Sequence, residues 1–335
     1  MNKIIITGAN SYIASVLLEH LKNWESEILL ISRQNVLKQN NNKQYTTLKC
    51  DISEENPWSQ ILKGGEIIIH LSSHNSLKIA NEDPLENWRS NVKPIYDIAD
   101  ACKKIKEKPT LIFTSTVTVF GLTSDIPVDE NHPESPTTIY DLHKLTAEKL
   151  LKYFNDLGIL KTICLRLSNV YGPGGKSQSS DRGILNQSIK KAVQGYDLIA
   201  YKNGNFIRDF IFVDDVARAI LIACENGVNF TGETYIISTG KGTKLMEVFQ
   251  MIKEEIFSQL HQKTEIKIIP QPDNLLPIEK RNFVGSYQSF EADFQWQPQI
   301  EISEGIRETV CFYSKKLSSP KIEQPYLEVK ALFEN

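Results

Sequence analysis

The sequence has no long apolar run, no excess of charge of either sign and few cysteines. Its 335 residues include 38 basic and 41 acidic side chains, which give a formal net charge of −3. A near-neutral charge of mixed sign lacks the excess of basic residues that is typical of proteins that bind nucleic acid or an anionic membrane. The longest apolar runs, such as the one at 66–71, fall far short of the ~20 residues that a membrane helix needs. We therefore expect neither a nucleic-acid partner nor a membrane partner.

The five cysteines are odd in number, widely scattered and without a C-x-x-C pair. This pattern is typical of buried thiols in a reducing compartment rather than of a disulfide framework or a zinc site. The apolar residues at 4–6 are followed at once by small polar residues, so this stretch is too short for the apolar region of a signal peptide. We predict a cytoplasmic protein without a metal site.

Short apolar runs alternate with amphipathic stretches over the first 170 residues. The strand candidates are at 3–7, 28–32, 45–50, 66–71, 110–115 and 162–167. Helical patterns lie between several of them, notably at 11–22, 84–106 and 138–156. Strand–helix alternation of this kind favours a parallel sheet with helices on both faces.

After about residue 170 the alternation becomes looser. Helical patterns near 183–194, 213–225 and 243–261 are separated by short strand candidates. We predict a smaller second lobe of mixed α/β character over 171–316. The segment 317–335 has two prolines and no clean periodicity, and we predict a terminal tail there.

The first strand candidate runs into a turn of small residues and then into a helix. Backbone N–H groups at such a turn, together with the helix N-terminus, suit the pyrophosphate of a dinucleotide. The usual pattern is G-x-x-G-x-x-G, and this chain has Gly8, Ser11 and Ala14 at the three glycine places. Ala14 is compatible with close helix–strand packing, whereas Ser11 adds a Cβ where the phosphates approach. An ordinary strand–helix turn is the alternative.

The second strand candidate ends at Ser32 and Arg33. An acidic residue at this place would hydrogen-bond the ribose 2′-hydroxyl and favour NAD. Ser32 and Arg33 can instead pair with a 2′-phosphate. We therefore expect NADP as the cofactor, with NAD as the alternative. A solvated surface arginine is the other interpretation of Arg33.

Tyr140 and Lys144 lie in a helical pattern, 24 residues after a strand end that is rich in hydroxyls around Thr116. Residues at i and i+4 share one helix face, so the ammonium would lie beside the phenol. A free tyrosine has a pKa near ~10 and is a poor proton carrier at neutral pH. A neighbouring cation, together with the nicotinamide charge, would bring that pKa toward the working range. Tyr140 is therefore the candidate proton carrier.

Several further segments recur in the same order as in one family of enzymes. They are Asp51-Ile52, His70-Leu71-Ser72-Ser73, Asn91 in its helix, Leu165-Arg-Leu-Ser-Asn169-Val-Tyr-Gly-Pro-Gly174, Arg208-Asp-Phe-Ile-Phe-Val-Asp-Asp-Val216 and Phe294-Gln-Trp-Gln-Pro298. The chain resembles the extended short-chain dehydrogenase/reductases, in their nucleotide-sugar epimerase/dehydratase branch. The matching segments are spread over about 310 of its residues.

The resemblance implies an α/β fold: a Rossmann-type doubly wound parallel sheet over 1–170 that binds NAD(P), with a smaller C-terminal α/β lobe mainly for a nucleotide-sugar substrate. Thr116 would orient the sugar hydroxyl or ketone, Tyr140 would be the acid/base, and Lys144 would hold the nicotinamide ribose. The residues implied in cofactor binding are Gly8, Asn10, Ser11, Tyr12, Ile13, Ser32, Arg33, Asp51, Ile52, Leu71, Ser72, Ser73, Asn91, Tyr140 and Lys144.

The same resemblance implies that the nucleotide-sugar phosphates would contact Asn169, Arg208 and Arg281. Planar guanidinium groups suit a diphosphate. The alternative for Arg208 is a structural ion pair with Asp209 or Asp214. Family members usually form dimers through the helix with the Tyr–Lys pair and the long helix before it. We therefore expect a homodimer through 138–156 and 84–106.

The residues that follow Thr116 help to distinguish which reaction of the family this chain catalyses. Its dehydratases have an acid just after the catalytic threonine, in the pattern T-D-E-V-Y-G, and the equivalent here is Thr116-Val-Thr-Val-Phe120-Gly with no carboxylate. The 4-epimerases and the 4-keto-sugar reductases remain. Because Ser32 and Arg33 favour NADP, we expect a 4-keto-sugar reductase. The alternatives are an NAD-dependent nucleotide-sugar 4-epimerase and a non-catalytic nucleotide-binding scaffold, which Ser11 and Phe120 would suit.

Overall fold

The computed structural model describes residues 3–36, 45–174, 183–202, 204–226, 230–273 and 275–318. The strands are β1 (Ile4–Thr7), β2 (Ile28–Ser32), β3 (Tyr45–Lys49), β4 (Ile67–His70), β5 (Thr110–Thr116), β6 (Lys161–Leu167), β7 (Asn169–Tyr171), β8 (Leu198–Tyr201), β9 (Ile207–Phe212), β10 (Glu233–Ile237), β11 (Gly242–Lys244) and β12 (Ile266–Ile269). The helices are α1 (Tyr12–His20), α2 (Trp58–Ile61), α3 (Leu77–Glu82), α4 (Pro84–Asn91), α5 (Lys93–Cys102), α6 (Ile139–Asp156), α7 (Ile184–Val193), α8 (Val213–Glu225), α9 (Leu245–Leu260), α10 (Gln288–Phe294) and α11 (Ile302–Ser318).

Seven strands form one sheet in the order β10-β6-β5-β4-β1-β2-β3. All of its neighbouring strands run parallel. Successive side chains of β1 serve opposite faces, since Ile4 and Ile6 pack in one apolar cluster and Ile5 packs in another. Both faces are therefore covered, which explains why these strands lack polar alternation. The predicted Rossmann-type sheet is confirmed.

Helices cover the two faces of this sheet. Leu17 of α1 and Ile220 of α8 pack on one face, and Ile98 of α5 and Leu151 of α6 pack on the other. The strand order changes direction between β1 and β4. In open α/β sheets the carboxyl ends of the strands at such a point leave a crevice that binds ligands.

The second lobe contains a three-stranded sheet of β11, β9 and β7 and a pair of β12 and β8. A separate apolar cluster holds α7, α9 and α11 against these strands. The chain also returns to the large sheet, because β10 is its seventh strand and α8 packs on α1. Part of 171–316 therefore belongs to the large layer. Helix α11 extends to 318, and residues 319–335 of the predicted tail lie outside the described residues.

The single helix expected over 84–106 is wrong, because two helices occupy this segment. Helix α4 ends at Asn91, α5 begins at Lys93, and Pro94 lies in the first turn of α5. Proline lacks the N–H that a continuous helix would need at this place, whereas the first turn of a new helix tolerates it. None of the helices in the described ranges is long and apolar enough to cross a membrane.

A buried ion pair joins α6 to the large sheet. Arg166 of β6 donates through Nε and Nη2 to the Glu148 carboxylate, with the shortest contact at 2.7 Å, and both side chains are 3% exposed. Arg166 also donates to Glu134 at 2.8 Å, and its guanidinium lies 4.7 Å from the centre of the Phe120 ring. In the sequence, Phe120 was one of two residues that a non-catalytic scaffold would suit. In the structure it is a core residue that packs on the buried guanidinium of Arg166.

We predict that Arg166→Ala destabilises the fold by about 3–5 kcal/mol, because it leaves the Glu148 carboxylate buried without its partner. Denaturant unfolding followed by circular dichroism measures this change. Lys149→Ala is the matched control, since Lys149 binds the same Glu134 from an exposed position. Its loss should cost less than about 1 kcal/mol. Equal losses in the two variants would contradict the structural role of the buried pair.

Candidate active site

A cleft of about 530 Å³ opens at the carboxyl ends of β1, β4, β5 and β6. One wall is formed by the turn before α1, the ends of these strands and the first turns of α6. The other wall comes from the second lobe, through β7, β9 and the segment 275–281. The cleft therefore lies where the strand order predicts a ligand.

The turn before α1 has the geometry of a phosphate cradle. Gly8 has a φ of +65°, and a Cβ there would lie 2.8 Å from the Ser72 nitrogen, so only glycine fits. Ser11 is the N-cap of α1, where its hydroxyl accepts a hydrogen bond from the Ala14 N–H at 3.3 Å. Ser11, Tyr12 and Ile13 line the cleft. Ser11 thus completes the helix N-terminus, and these residues fit the pyrophosphate of a dinucleotide.

Asn10 connects this turn to the end of β2. Its amide donates to the Ser32 hydroxyl at 2.9 Å and to the Asn35 carbonyl at 3.3 Å. Ser32 keeps its own proton as a donor, and Arg33 is exposed. This geometry is compatible with a ribose hydroxyl as well as with a phosphate, so the NADP preference remains a prediction.

Two pairs of predicted cofactor residues are placed differently relative to the cleft. Leu71 and Ser73 line it directly. Asp51 and Ile52 follow β3, where the Asp51 carboxylate accepts from the Ser53 N–H at 3.0 Å and Ile52 is buried. Their contact with an adenine ring stays a prediction.

Asn91 lies behind the residues that line the cleft. It is fully buried, its amide donates to the carbonyls of His74 and Asn87, and its oxygen accepts from the Ser73 hydroxyl at 2.7 Å. Asn91 therefore contacts the cleft through Ser73, and its own contact with a cofactor stays a prediction.

Thr116, Tyr140 and Lys144, the three predicted catalytic residues, line the same cleft. Lys144 is buried, and its Nζ donates to the Thr114 carbonyl at 2.6 Å and lies 3.9 Å from the centre of the Phe113 ring. Burial disfavours the ammonium and lowers the pKa of Lys144 to about 7, although Glu148 opposes this shift. Lys144 thus fixes α6 against β5.

The pKa of Tyr140 is raised above its ordinary value. Burial of the phenol is the main cause, the neighbouring Asp141 carboxylate adds to it, and a hydrogen bond with Ser73 opposes it. Lys144 is a weak cation that is already bound to Thr114. Lys144 is not among the groups that shift the pKa of Tyr140, and the lowering of that pKa by Lys144 together with the nicotinamide charge stays a prediction.

The Ser73 hydroxyl has two possible acceptors for its single proton. It lies within hydrogen-bond reach of the Tyr140 phenol and also donates to Asn91. A proton given to Asn91 is not available to a Tyr140 phenolate. Asn91 and the phenolate therefore compete for Ser73, a coupling that the sequence did not reveal.

A carboxylate that the sequence analysis missed lies behind Thr116, the predicted catalytic threonine. The Thr118 hydroxyl, which is 2.8 Å from the Thr116 hydroxyl, donates to Asp141. Thr138 donates to the other oxygen of Asp141 at 2.7 Å. Thr138 is the N-cap of α6 and Asp141 stands three residues later, so the spacing of a capping box could have pointed to this carboxylate.

Two arginines face the cleft from the second lobe, and within the described ranges neither of them forms an ion pair with a carboxylate. Arg208 donates to the carbonyls of Arg281 and Glu279. Arg281 donates to the Ile278 carbonyl and to Asn169 Oδ1 at 3.3 Å, and its buried Nε lacks a partner among the described residues. Burial, with the proximity of Arg281, lowers the pKa of Arg208 to about 9. Glu279 and Asp141 act on these arginines only from a distance, and the two neighbouring guanidinium groups suit an anionic ligand.

The ion pairs considered for Arg208 do not form. Asp209 instead accepts from Ser168, Thr239 and the N–H groups of Gly240 and Gly285. Asp214 accepts from His20 at 2.6 Å. The alternative interpretation of Arg208 is therefore wrong, and its guanidinium stays available to the cleft.

Comparison with known proteins identifies the family. Residues 4–238 match the profile described as "NAD dependent epimerase/dehydratase family". The chain belongs to this family. The family predicted from the sequence motifs is thus confirmed, and so is the prediction of an enzyme.

Several members of the NAD dependent epimerase/dehydratase family are similar over nearly their whole length. A putative UDP-glucose 4-epimerase of Methanocaldococcus jannaschii is 28% identical over 92% of this chain and 97% of its own. The UDP-glucose 4-epimerase of Mycolicibacterium smegmatis is 24% identical over 94% of this chain and 99% of its own. The structure of UDP-glucuronic acid 4-epimerase from Bacillus cereus, in complex with UDP-glucuronic acid and NAD, has 22% identity and a TM-score of 0.82, and the match covers 94% of this chain and 99% of that one.

We predict that inorganic pyrophosphate raises the melting temperature of the protein, because a ligand that binds only the folded state stabilises it. Arg208→Met and Arg281→Met should each reduce this shift in a thermal melt, and the turn before α1 accounts for what remains. Arg307→Met is the control, since the Arg307 side chain is 60% exposed on α11 and should leave the shift unchanged. A full shift in both cleft variants would contradict the anion site.

Proposed function

We propose that the protein is an NAD-dependent nucleotide-sugar 4-epimerase. The observation that carries this proposal is that one cleft combines three sets of residues. The N-terminus of α1 suits a dinucleotide, Tyr140 and Thr116 suit a reacting hydroxyl, and Arg208 with Arg281 suits a diphosphate. The family and the names of its similar members support the 4-epimerase rather than the reductase expected from the sequence.

A 4-epimerase must oxidise the C4 hydroxyl and then reduce the ketone from the opposite face. A bound nicotinamide cofactor would supply the hydride acceptor and donor. Residues Ser11–Ile13 would hold its pyrophosphate, and Lys144 would contact its ribose. Tyr140 would take the proton from the C4 hydroxyl and return it to the product. Because burial raises the pKa of Tyr140, the phenol by itself favours the protonated form.

The diphosphate would anchor the substrate during this reaction. Guanidinium groups of Arg208 and Arg281, with the amide of Asn169, form a set of donors that matches phosphate oxygens. Binding there leaves the sugar ring free to present either face at C4. The cleft would thus hold the nucleotide end firmly while the reacting end turns.

A 4-keto-sugar reductase is the second candidate function. The observation that favours it is the absence of an acidic side chain at Ser32 and Arg33, where NAD-specific proteins have one. The two candidates differ in the cofactor they use. An epimerase retains NAD through purification and needs no added reductant, whereas a reductase consumes added NADPH.

We predict that the purified protein interconverts UDP-glucose and its C4 epimer, and that Tyr140→Phe lowers kcat by about 10²–10⁴-fold while leaving cofactor affinity nearly unchanged. The reason is that phenylalanine keeps the ring but cannot carry the proton. Chromatography of the products measures kcat, and protein fluorescence measures cofactor binding.

Tyr153→Phe is the matched control, because Tyr153 lies on the same helix but is 58% exposed. It should keep the kcat of the wild type. Undiminished turnover in Tyr140→Phe would remove the proposed mechanism.

We also propose that the protein is a homodimer. Tyr96 of α5 and Leu142 and Tyr153 of α6 are large side chains that are each at least 46% exposed. Leu142→Lys combined with Tyr153→Asp should convert a dimer into a monomer in analytical ultracentrifugation. Phe257→Lys, an exposed position on α9, should leave the dimer intact. A monomeric wild type would contradict this proposal.

A further inference from the structure

Asp141 lies directly after the catalytic tyrosine, but the proposed reaction does not use it. It is fully buried, whereas Thr118 and Thr116 in front of it line the cleft. A carboxylate in such a position can reach the reacting atoms only through the hydroxyls that separate it from the cleft.

The hydrogen bonds between Asp141 and the cleft have only one consistent direction. Thr118 gives its single proton to the Asp141 carboxylate, so the 2.8 Å contact between the two threonine hydroxyls needs Thr116 as the donor. Thr116 also accepts from the Thr118 N–H at 3.2 Å. The proton of Thr116 therefore points away from the cleft, and its remaining lone pair faces the cleft.

We propose that Asp141 is a positioning residue that, through Thr118, turns the Thr116 hydroxyl into a hydrogen-bond acceptor for the sugar hydroxyl. This inference rests on the proposed function, since it concerns the same site. Thr116 would therefore orient the sugar hydroxyl as an acceptor, because its only proton is already given to Thr118. In the resting complex Tyr140 is protonated and donates to the C4 oxygen, so the C4 hydroxyl is free to donate its own proton to the lone pair of Thr116. That proton passes to Tyr140 instead once the phenol is ionised.

The charge of Asp141 acts on the phenol as well. The charged and titratable groups around Tyr140 and Asp141 are Lys144 on the same helix, Arg281 from the second lobe, Ser73 and the neutral His70 at the end of β4, and the hydroxyls of Thr116, Thr118 and Thr138. Among them Asp141 is the one whose negative charge raises the pKa of Tyr140. Arg281 favours the ionised carboxylate and burial opposes it.

Asp141→Asn is the sharpest test, because asparagine has nearly the same shape as aspartate. It should reverse the direction of the hydrogen bonds that run from Thr116 through Thr118 to residue 141. Thr138 accepts from the backbone N–H of residue 141 at 3.2 Å, so its proton goes to the side-chain oxygen of that residue. The new NH₂ group then faces Thr118. Thr118 would donate to Thr116, and Thr116 would donate into the cleft.

The experiment compares the affinity of UDP-glucose with that of its 4-deoxy-4-fluoro analogue, which accepts but does not donate a hydrogen bond at C4. By isothermal titration of the holoenzyme, the wild type should prefer the hydroxyl by roughly 10-fold, the size of one net hydrogen bond. Asp141→Asn and Thr118→Val should both lose this preference. Asp83→Asn, an exposed N-cap carboxylate of α4, is the control and should retain it.

The pH dependence of kcat provides a second measurement, which would not change if Asp141 only stabilised the fold. The rise of kcat with pH should move to lower pH only in Asp141→Asn, because only this change removes the negative charge beside the phenol.

Two outcomes keep this inference distinct from the proposed function. If the wild type binds both nucleotide sugars but does not interconvert the C4 epimers, the epimerase proposal fails while the preference at C4 still tests Asp141. If both variants keep the wild-type preference for the hydroxyl, the role of Asp141 is overturned whatever the reaction is. Thr118→Val, which leaves the cap of α6 intact, decides the question should Asp141→Asn fail to fold.

Discussion

The hydrogen bond from Lys144 Nζ to the Thr114 carbonyl fixes the position of the active-site helix. Burial of an ammonium is costly unless it is paired. This bond and the contact with Phe113 offset that cost. Four residues later, Glu148 binds Arg166 of the next strand. Helix α6 is thus attached to β5 and β6 on successive turns, and Tyr140 and Asp141 are carried to the end of β5 by the same attachment.

The charges of the cleft are separated along its length. Near the end of β5 the carboxylate of Asp141 is hidden behind hydroxyls, and the phenol of Tyr140 is held in its neutral form by burial. In the second lobe, Arg208 and Arg281 donate to backbone carbonyls, and in the part of the chain that the structure describes neither forms an ion pair. An anionic nucleotide end and a neutral hydroxyl-bearing end therefore meet complementary surroundings in one cleft.

Local patterns in the sequence were sufficient for much of the fold and for the central residues of the site. Gly8, Ser11 and the Tyr140–Lys144 pair follow from the chain near each residue, because a turn and a helix face are short-range features. The role of Lys144 could not be predicted in this way, since its pKa depends on burial by distant strands. The contact of Asp141 with Thr118 joins residues 23 apart on two elements, and the return of β10 to the large sheet is a long-range pairing. Such features depend on packing.

The most direct test of the central claim is to follow a label at the reacting carbon. UDP-glucose that carries deuterium at C4 is incubated with the purified protein in ordinary water, and the products are analysed by mass spectrometry and NMR. The account predicts the C4 epimer with deuterium retained at C4 and no net consumption of added NADPH. Loss of the deuterium, consumption of NADPH without any epimer, or no reaction with any C4-hydroxyl nucleotide sugar would contradict it.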